Sequence, residues 1–258
     1  MSWPVFVINM ADNTTRMARA ADELNRLNID FTRFEAVNGR QLSEAEAEVA
    51  AAYDPDANLR RARHPLVMPE IGCYLSHIAL WRQIAEGDAP AGVILEDDFV
   101  AQDDLADVLK ALEADTAQWD IVKLFSARVC QKVTDTWPLS DGRSLARPYK
   151  VPNTMLGYVV RRESAARLVA SALPFSRPVD EDHKHFWELD LDVAMVTPPP
   201  LAFGFQGGGT GTITAARRHK PKWYARGALS QNLRSLRFRI NYTVKLHWHR
   251  TLQRIAGQ

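Results

Sequence analysis

The sequence predicts an α/β fold, with a mainly parallel sheet flanked by helices over residues 1–214 and a basic, amphipathic helical tail over residues 215–258. Short runs rich in Val and Ile alternate with segments of helical periodicity, which is the order found in parallel sheets. Most of these runs are apolar throughout, as in strands covered on both faces. Asp192 is the last acidic residue of the chain, so the C-terminal part differs in charge from the rest.

Composition narrows the class of protein. A hydrophobic fraction of 46% with 24% charged residues indicates a globular domain rather than a disordered or fibrous chain. The two cysteines, Cys73 and Cys130, have no sequence partner at metal-ligand spacing, so we expect neither a zinc site nor a disulfide framework. The first residues lack the basic flank and the small-residue cleavage site that are typical of a signal peptide, and no apolar run approaches membrane-spanning length. We therefore expect a cytoplasmic protein, with possible peripheral attachment to the inner face of a membrane.

The first elements follow from apolar runs and helix signals. Pro4–Asn9 is an apolar run before a polar loop and predicts a buried strand. Arg16–Leu27 carries apolar residues at helical spacing, and Phe31–Val37 predicts the second strand. Ser43–Ala52 predicts a short helix, because Ser43 and Glu46 have the spacing of a capping box.

The middle of the chain contains a long helix and two more strands. Tyr53–Val67 is rich in arginine and predicts a mobile loop. Pro69 suits the first turn of a helix that ends near Gly87. Gly92–Leu95 predicts a strand and Asp103–Leu112 a helix.

The last elements complete the alternation. Ile121–Leu124, Met155–Val160 and Asp192–Val196 are apolar runs that predict strands. Glu163–Ala172 has helical spacing and lies between the last two of them.

Three carboxylates follow the strand Gly92–Leu95 directly. Ligands of open α/β sheets bind beyond the carboxyl ends of the strands, so Glu96, Asp97 and Asp98 would lie at a binding crevice. Carboxylate oxygens suit Mg²⁺ or Mn²⁺, which can bridge to nucleotide phosphates. The spacing alone does not distinguish a metal site from the alternative, in which these residues cap the next helix or face solvent.

A set of motifs in a fixed order resembles glycosyltransferase family 25, which includes lipooligosaccharide and collagen galactosyltransferases. The motifs are Ile8–Asn9 with Arg16, Phe34–Gly39, Glu70–His77, Val93–Asp98, Gly157–Val160 with Ser164–Ala166, Pro178–Asp180 and Pro199–Leu201. They cover about residues 5–213. The resemblance implies a GT-A-like nucleotide-sugar-binding fold and an inverting transfer, usually from UDP-galactose. The chain departs from the family pattern at Asn38, where Asp is usual, and in the glycine-rich segment Gly207–Thr212, which suggests a lid over the donor or a linker.

The resemblance also implies roles for individual residues. Asp97 and Asp98 would ligate Mn²⁺ or Mg²⁺. The residues expected around the nucleotide-sugar donor are Asn9, Arg16, Asn38, Ser76, His77 and Glu96. The sequence is nearly as compatible with an Arg16 that is exposed and binds no ligand. It is also compatible with a His77 that is buried and has only a structural role.

Inversion requires a base that takes the proton of the acceptor hydroxyl. Asp180 matches the family position and is the first candidate, with Asp182 as the second. Both residues lie in a stretch that reads as a loop, so an acidic surface loop is the alternative. The expected acceptor is a lipopolysaccharide or a related glycan, including a lipid-linked oligosaccharide.

The tail combines positive charge with an apolar stripe. Eleven Lys and Arg lie from Arg217 onward, which leaves about −10 on the preceding part of a chain whose net charge is +1. The stripe contains Leu233, Leu236, Ile240, Val244, Trp248, Leu252 and Ile255. A basic amphipathic helix of this kind is typical of binding to an anionic membrane surface. Packing on the acidic body is the alternative, whereas nucleic acid is not expected because no recognition motif is present.

Two other functions remain open at the level of sequence. A nucleotidyltransferase usually has a phosphate-binding loop with glycine and lysine after its first strand, but Ala11–Thr15 contains neither. The second alternative function is a carbohydrate- or membrane-binding module with a degenerate transferase fold. The complete Glu96–Asp97–Asp98 motif argues against this alternative.

Overall fold

An eight-stranded sheet with helices on both faces forms the centre of the protein. The computed structural model describes residues 2–43, 47–127, 132–204, 213, 216–217 and 228–256. The strands are β1 (Val5–Asn9), β2 (Thr32–Glu35), β3 (Ala91–Glu96), β4 (Phe99–Ala101), β5 (Ile121–Lys123), β6 (Val133–Ser140), β7 (Arg143–Pro148), β8 (Gly157–Arg161), β9 (Val193–Thr197) and β10 (Leu201–Phe203). The helices are α1 (Thr14–Arg26), α2 (Ala47–Ala52), α3 (Pro55–Arg61), α4 (Met68–Glu86), α5 (Leu105–Ala114), α6 (Arg162–Ser171), α7 (Val179–Lys184), a short 3₁₀ helix (Phe186–Glu188) and α8 (Ala228–Ala256).

The strand directions confirm the prediction of a mostly parallel sheet, with one qualification. The order is β2-β1-β3-β8-β5-β9-β7-β6. Six of these strands run in one direction, and β7 and β8 run in the other. Because each reversed strand lies between neighbours of the opposite direction, four of the seven pairings are antiparallel.

Helices cover both faces because side chains along each strand point alternately to the two sides. In β3, Ile94 packs into the core beneath α4 and α6, whereas Val93 and Leu95 pack into the core beneath α1 and α5. The central strands are buried on both faces, which explains why they read as continuous apolar runs.

Two segments predicted as loops contain helices, so the predictions were wrong over the helical residues. In the segment Tyr53–Val67, α3 begins after Asp54, whose side chain accepts a hydrogen bond from Ala57 N at 2.8 Å, and Pro55 occupies its first turn. The stretch after Pro178 forms α7, in which acidic residues occupy the first turn and basic residues the last. Such charges are favourable at the two ends of a helix.

Two pairs of strands were missing from the prediction. β6 and β7 form a hairpin whose turn contains Asp141 and Gly142, the latter with φ of +69°. The Asp-Gly pair is a hairpin signal that could have identified it. β4 and β10 form a separate two-stranded sheet, and Gly204 N donates to Asp98 O at the end of β10.

The C-terminal helix α8 packs on the body through one face and exposes apolar residues on the opposite face. Phe238, Tyr242 and Leu246 are buried in the core beneath α4 and α6. Ile240 and Val244, each two residues after a buried residue, are 53% and 61% exposed. Two residues correspond to about 200° of rotation around a helix, so the stripe predicted from sequence faces away from the body. Arg234, Arg237 and Arg250 donate hydrogen bonds to backbone oxygens of the body.

Several sequence predictions fall outside the described residues. The capping residue Glu46, the glycine-rich segment Gly207–Thr212 and Cys130 belong to this group.

Candidate active site

The predicted carboxylates lie at the carboxyl end of β3, where Asp97 and Asp98 form the turn into β4. β1 runs parallel to β3, with Ile8 opposite Glu96, so the end of β1 reaches the same edge of the sheet. A cavity of about 200 Å³ opens at this edge, and both aspartates line it. This is the position at which open α/β sheets bind ligands.

Asp97 is held by the unit formed by β1 and α1. Asn9 Nδ2 donates to Asp97 Oδ2 at 2.7 Å, and Arg16 Nη1 donates to Asp97 Oδ1 at 3.1 Å. The same Arg16 nitrogen lies 3.8 Å from Asp98 Oδ2. Arg16 lines the cavity, whereas Asn9 is 1% exposed and lies behind Asp97. Asn9, predicted to contact the donor, therefore positions a carboxylate in this structure.

The opposite wall consists of the turn after β2 and the start of α4. Ser76 is buried, and its hydroxyl accepts from Val37 N at 2.9 Å and donates to Gly72 O at 2.8 Å. The hydrogen bond from Val37 N joins the turn to α4, while the one to Gly72 O lies within the helix. Asn38 lines the cavity, and its Oδ1 accepts from Arg40 N at 3.1 Å.

Glu96 ends β3 directly before the two aspartates, and His77 of α4 lies close to it. His77 is fully buried, its Nδ1 lies 2.9 Å from the Tyr158 hydroxyl, and its Nε2 lies 4.0 Å from Glu96 Oε1. Burial, together with the nearby Lys123 charge, lowers the pKa of His77 to about 3. Burial and then the charge of Asp97 raise the pKa of Glu96 to about 7. His77 is therefore neutral at pH 7.

Lys123 is a residue that sequence reasoning missed. It is 1% exposed at the end of β5, and its Nζ donates to Thr154 O at 2.9 Å. Burial lowers its pKa to about 7, against the opposing effects of the Asp180 and Glu96 carboxylates. A lone lysine in the apolar run Ile121–Leu124 was the signal that could have identified it, because buried lysines are rare.

The two candidate bases on α7 have different surroundings. Asp182 accepts from Arg177 Nε at 2.5 Å and from the Tyr74 hydroxyl at 2.6 Å, and it borders a cavity of about 470 Å³. Asp180 borders a different cavity of about 130 Å³ and accepts from the backbone N of Glu181 at 2.9 Å. Burial, followed by the charge of Glu181, raises the pKa of Asp180 to about 6.

Two described residues that follow β10 in sequence lie in the same region. Ile213 lines the cavity of Asp97 and Asp98. Arg217 forms an ion pair with Glu70, which is 4% exposed at the start of α4, and both border the cavity of Asp180.

Comparison with known proteins identifies the family of the chain. Residues 2–182 match the family described as "Glycosyltransferase family 25 (LPS biosynthesis protein)". The chain is 30% identical over 184 residues to "Procollagen galactosyltransferase 1-A" of Xenopus laevis, an alignment that covers 69% of the chain and 30% of that protein. It is 29% identical to "Procollagen galactosyltransferase 2" of Homo sapiens, with 69% and 29% covered.

A further relative differs in its described activity. The chain is 27% identical to "Probable inactive glycosyltransferase 25 family member 3" of Bos taurus, with 75% of the chain and 35% of that protein covered.

The chain spans about a third of the length of the relatives it matches. The matched residues include β1, α4 and the Glu96–Asp97–Asp98 motif. The chain belongs to glycosyltransferase family 25.

Proposed function

We propose that the protein transfers galactose from UDP-galactose to a glycan acceptor, with inversion and with a divalent cation at Asp97 and Asp98. The observation that carries this proposal is the pair of carboxylates at the carboxyl end of β3, in a cavity beside Arg16. The galactosyltransferase relatives support the choice of sugar.

The residues present fit a hard divalent cation. Both aspartates offer oxygen ligands, which Mn²⁺ and Mg²⁺ prefer. Arg16 Nη1 lies within 4 Å of both carboxylates, so a bound cation would share these oxygens with the guanidinium. When bound, the cation would neutralise the charge that develops on the departing diphosphate.

The chain itself supplies positioning and proton transfer. Asn9 and Arg16 hold Asp97 in place, and Ser76 fixes the wall that carries Asn38. Asp180 would accept the proton of the acceptor hydroxyl, because a carboxylate with a pKa of about 6 is ionised at pH 7 and more basic than an ordinary one. Asp182 is less suited, since Arg177 and Tyr74 already bind it.

A metal-site variant tests the reaction. Asp98→Asn should lower the rate of transfer from UDP-galactose about a hundredfold or more, because it weakens the interaction that stabilises the leaving diphosphate. Its melting temperature should stay close to that of the wild type, since Asp98 lies in a turn at the edge of the sheet. A full rate in EDTA, or a wild-type rate in Asp98→Asn, would show that the proposed metal role is wrong.

The acceptor and the cellular site are part of the same proposal. The family description names lipopolysaccharide biosynthesis, which supports a lipopolysaccharide or a lipid-linked oligosaccharide as acceptor. Such an acceptor lies at a membrane, and the exposed apolar stripe of α8 supports peripheral attachment to an anionic surface. The side of the membrane in this proposal is the cytoplasmic one. None of the helices in the described residues is long and apolar enough to cross a bilayer.

A binding module without catalysis is the second candidate, because one of the relatives is described as probably inactive. Hydrolysis of UDP-sugars in the presence of Mn²⁺ separates the two. A catalytic site should release UDP slowly to water, whereas a binding module should bind the donor without turnover.

A further inference from the structure

Three side chains with different ligand atoms lie close together beside the cavity that Asp97 and Asp98 line. Cys73 and His77 lie four residues apart on α4, and therefore on the same face of that helix. Glu96 approaches them from the end of β3. The Cys73 Sγ, a His77 ring nitrogen and a Glu96 carboxylate oxygen all lie within 4.8 Å of one another.

One atom of this cluster lacks a partner. His77 is fully buried, and its Nε2 has no hydrogen-bond partner among the described residues. Its other nitrogen, Nδ1, lies 2.9 Å from the Tyr158 hydroxyl, which also accepts from Trp81 Nε1 at 2.7 Å. A buried polar atom without a partner is unfavourable, so an atom that points into a cluster of possible ligands indicates a missing one.

The surroundings of His77 resemble those of metal-binding histidines. Such a histidine usually donates its second N–H to a neighbouring group, which fixes its tautomer and leaves the other nitrogen for the metal. When Nδ1 carries the ring proton and donates it to Tyr158, the free electron pair of Nε2 lies on the side of Glu96 and Cys73, and metal binding at Nε2 requires this tautomer.

The ligand types differ from those at Asp97 and Asp98. A thiolate, an imidazole and a carboxylate suit Zn²⁺ or another borderline cation, whereas two carboxylates suit Mn²⁺ or Mg²⁺. We propose that Cys73, His77 and Glu96 form a second cation site, which binds Zn²⁺ and is distinct from the proposed catalytic ion. Binding requires the thiol to lose its proton, which passes to solvent as the Zn–S bond forms.

This site has consequences for the cavity. Cys73 and Glu96 both line it, and Glu96 directly precedes Asp97. Zinc would join α4 to the end of β3, and three protein ligands would leave a fourth position for water or for another ligand. The inference goes beyond the proposed transfer and does not depend on it.

Cobalt titration of the metal-free full chain tests the proposal without an activity assay. Co²⁺ bound to a thiolate produces a charge-transfer absorption band that oxygen ligands do not give. The wild type should show this band at one equivalent of Co²⁺ and lose it when Zn²⁺ is added. Cys73→Ser should not show it, while Cys130→Ser, which removes the other cysteine of the chain, should keep it.

Two further variants separate this site from the donor site and from effects on folding. Asp98→Asn should keep the band even where it abolishes transfer. Glu96→Gln should weaken Zn²⁺ binding at least about tenfold in competition with a chromophoric chelator, with circular dichroism as a check of the fold. Absence of the band in the wild type, or an equal band in Cys73→Ser, would overturn the proposal.

Discussion

At the scale of single residues, the two aspartates of α7 differ in which groups bind them. Asp182 is in contact with the guanidinium of Arg177, which also binds Glu188, and with the hydroxyl of Tyr74. Asp180 has no such cation at hydrogen-bonding distance among the described residues, and the charges of Lys184 and Lys123 only partly offset the effect of burial on its pKa. The hydrogen bonds of Asp182 are therefore already taken by Arg177 and Tyr74, whereas Asp180 has the surroundings that we propose for the base.

This difference predicts distinct effects of the two Asn variants. Asp180→Asn should lower kcat far more than it weakens UDP-galactose binding, because the lost interaction belongs to the transition state. In the wild type, kcat should fall as the pH decreases through about 6, where the Asp180 carboxylate takes up a proton and can no longer accept one. Steady-state rates and donor affinities measured across this pH range provide the check.

Asp182→Asn is the matched control. It should reduce the free energy of unfolding by ~1–3 kcal/mol, because Arg177 loses one of its two carboxylate partners, and kcat should change little in the protein that remains folded. Loss of kcat in Asp182→Asn with an unchanged kcat in Asp180→Asn would reverse the assignment of the base.

At the scale of elements, the cavity wall depends on close packing between the turn after β2 and α4. A Cβ at Gly72 would lie 2.6 Å from the carbonyl oxygen of Val37 and 2.7 Å from Gly39 N. Both neighbours are backbone atoms, which cannot move aside as a side chain can. The two elements can touch here only because position 72 carries no side chain.

Gly72→Ala should therefore destabilise the protein by ~1–3 kcal/mol although alanine favours helices. The same shift should weaken binding of UDP, because Asn38 lies on the displaced wall. Thermal unfolding and UDP titration measure the two effects. Gly87→Ala at the other end of α4 is the control, since the nearest atom to its Cβ is 3.1 Å away, and it should change both quantities less. Unchanged stability and affinity in Gly72→Ala would contradict this account of the wall.

At the scale of the whole molecule, α8 presents an apolar surface with no partner among the described residues. The seven residues of its outer stripe, Leu233, Leu236, Ile240, Val244, Trp248, Leu252 and Ile255, are each at least 47% exposed. Arg239, Lys245 and Arg254 are exposed on the same helix. Because the opposite face already packs on the body, the outer stripe can contact a membrane without detachment of the helix.

Replacement of Val244 and Trp248 by Glu should strongly reduce binding to anionic vesicles. The variant loses apolar contacts and adds negative charge close to anionic lipids, where each basic residue contributes ~1 kcal/mol. Its melting temperature and its transfer to a soluble acceptor should stay near the wild-type values, since both side chains point to solvent. Vesicle sedimentation at low and physiological salt measures the binding.

Gln102→Glu with Gln118→Glu is the matched control, because it makes the same change in charge at exposed positions of the body. It should bind vesicles nearly as the wild type does. Equal binding by all three proteins would refute the membrane proposal. A stronger preference of the wild type for nucleic acid than for lipid would assign the basic surface to another partner.

The sequence by itself determined the central strands, the carboxylate turn and the family. Apolar runs such as Gly92–Leu95 require burial on both faces, and the adjacent Asp97 and Asp98 lie at a strand end whatever the strand order. The start of α3 was also determined locally, because Asp54 caps the helix and Pro55 occupies its first turn, although the segment was predicted as a loop.

Only the tertiary structure decided which side chains meet. Asn9 binds Asp97 across 88 residues, and Tyr74 binds Asp182 across 108, contacts that depend on the order of strands rather than on local periodicity. The spacing of Cys73 and His77 places both on one face of α4, but only the tertiary structure brings Glu96 to them from the end of β3. The outward direction of the α8 stripe was equally hidden, since both faces of that helix carry apolar residues and packing on the body selects the face that is buried.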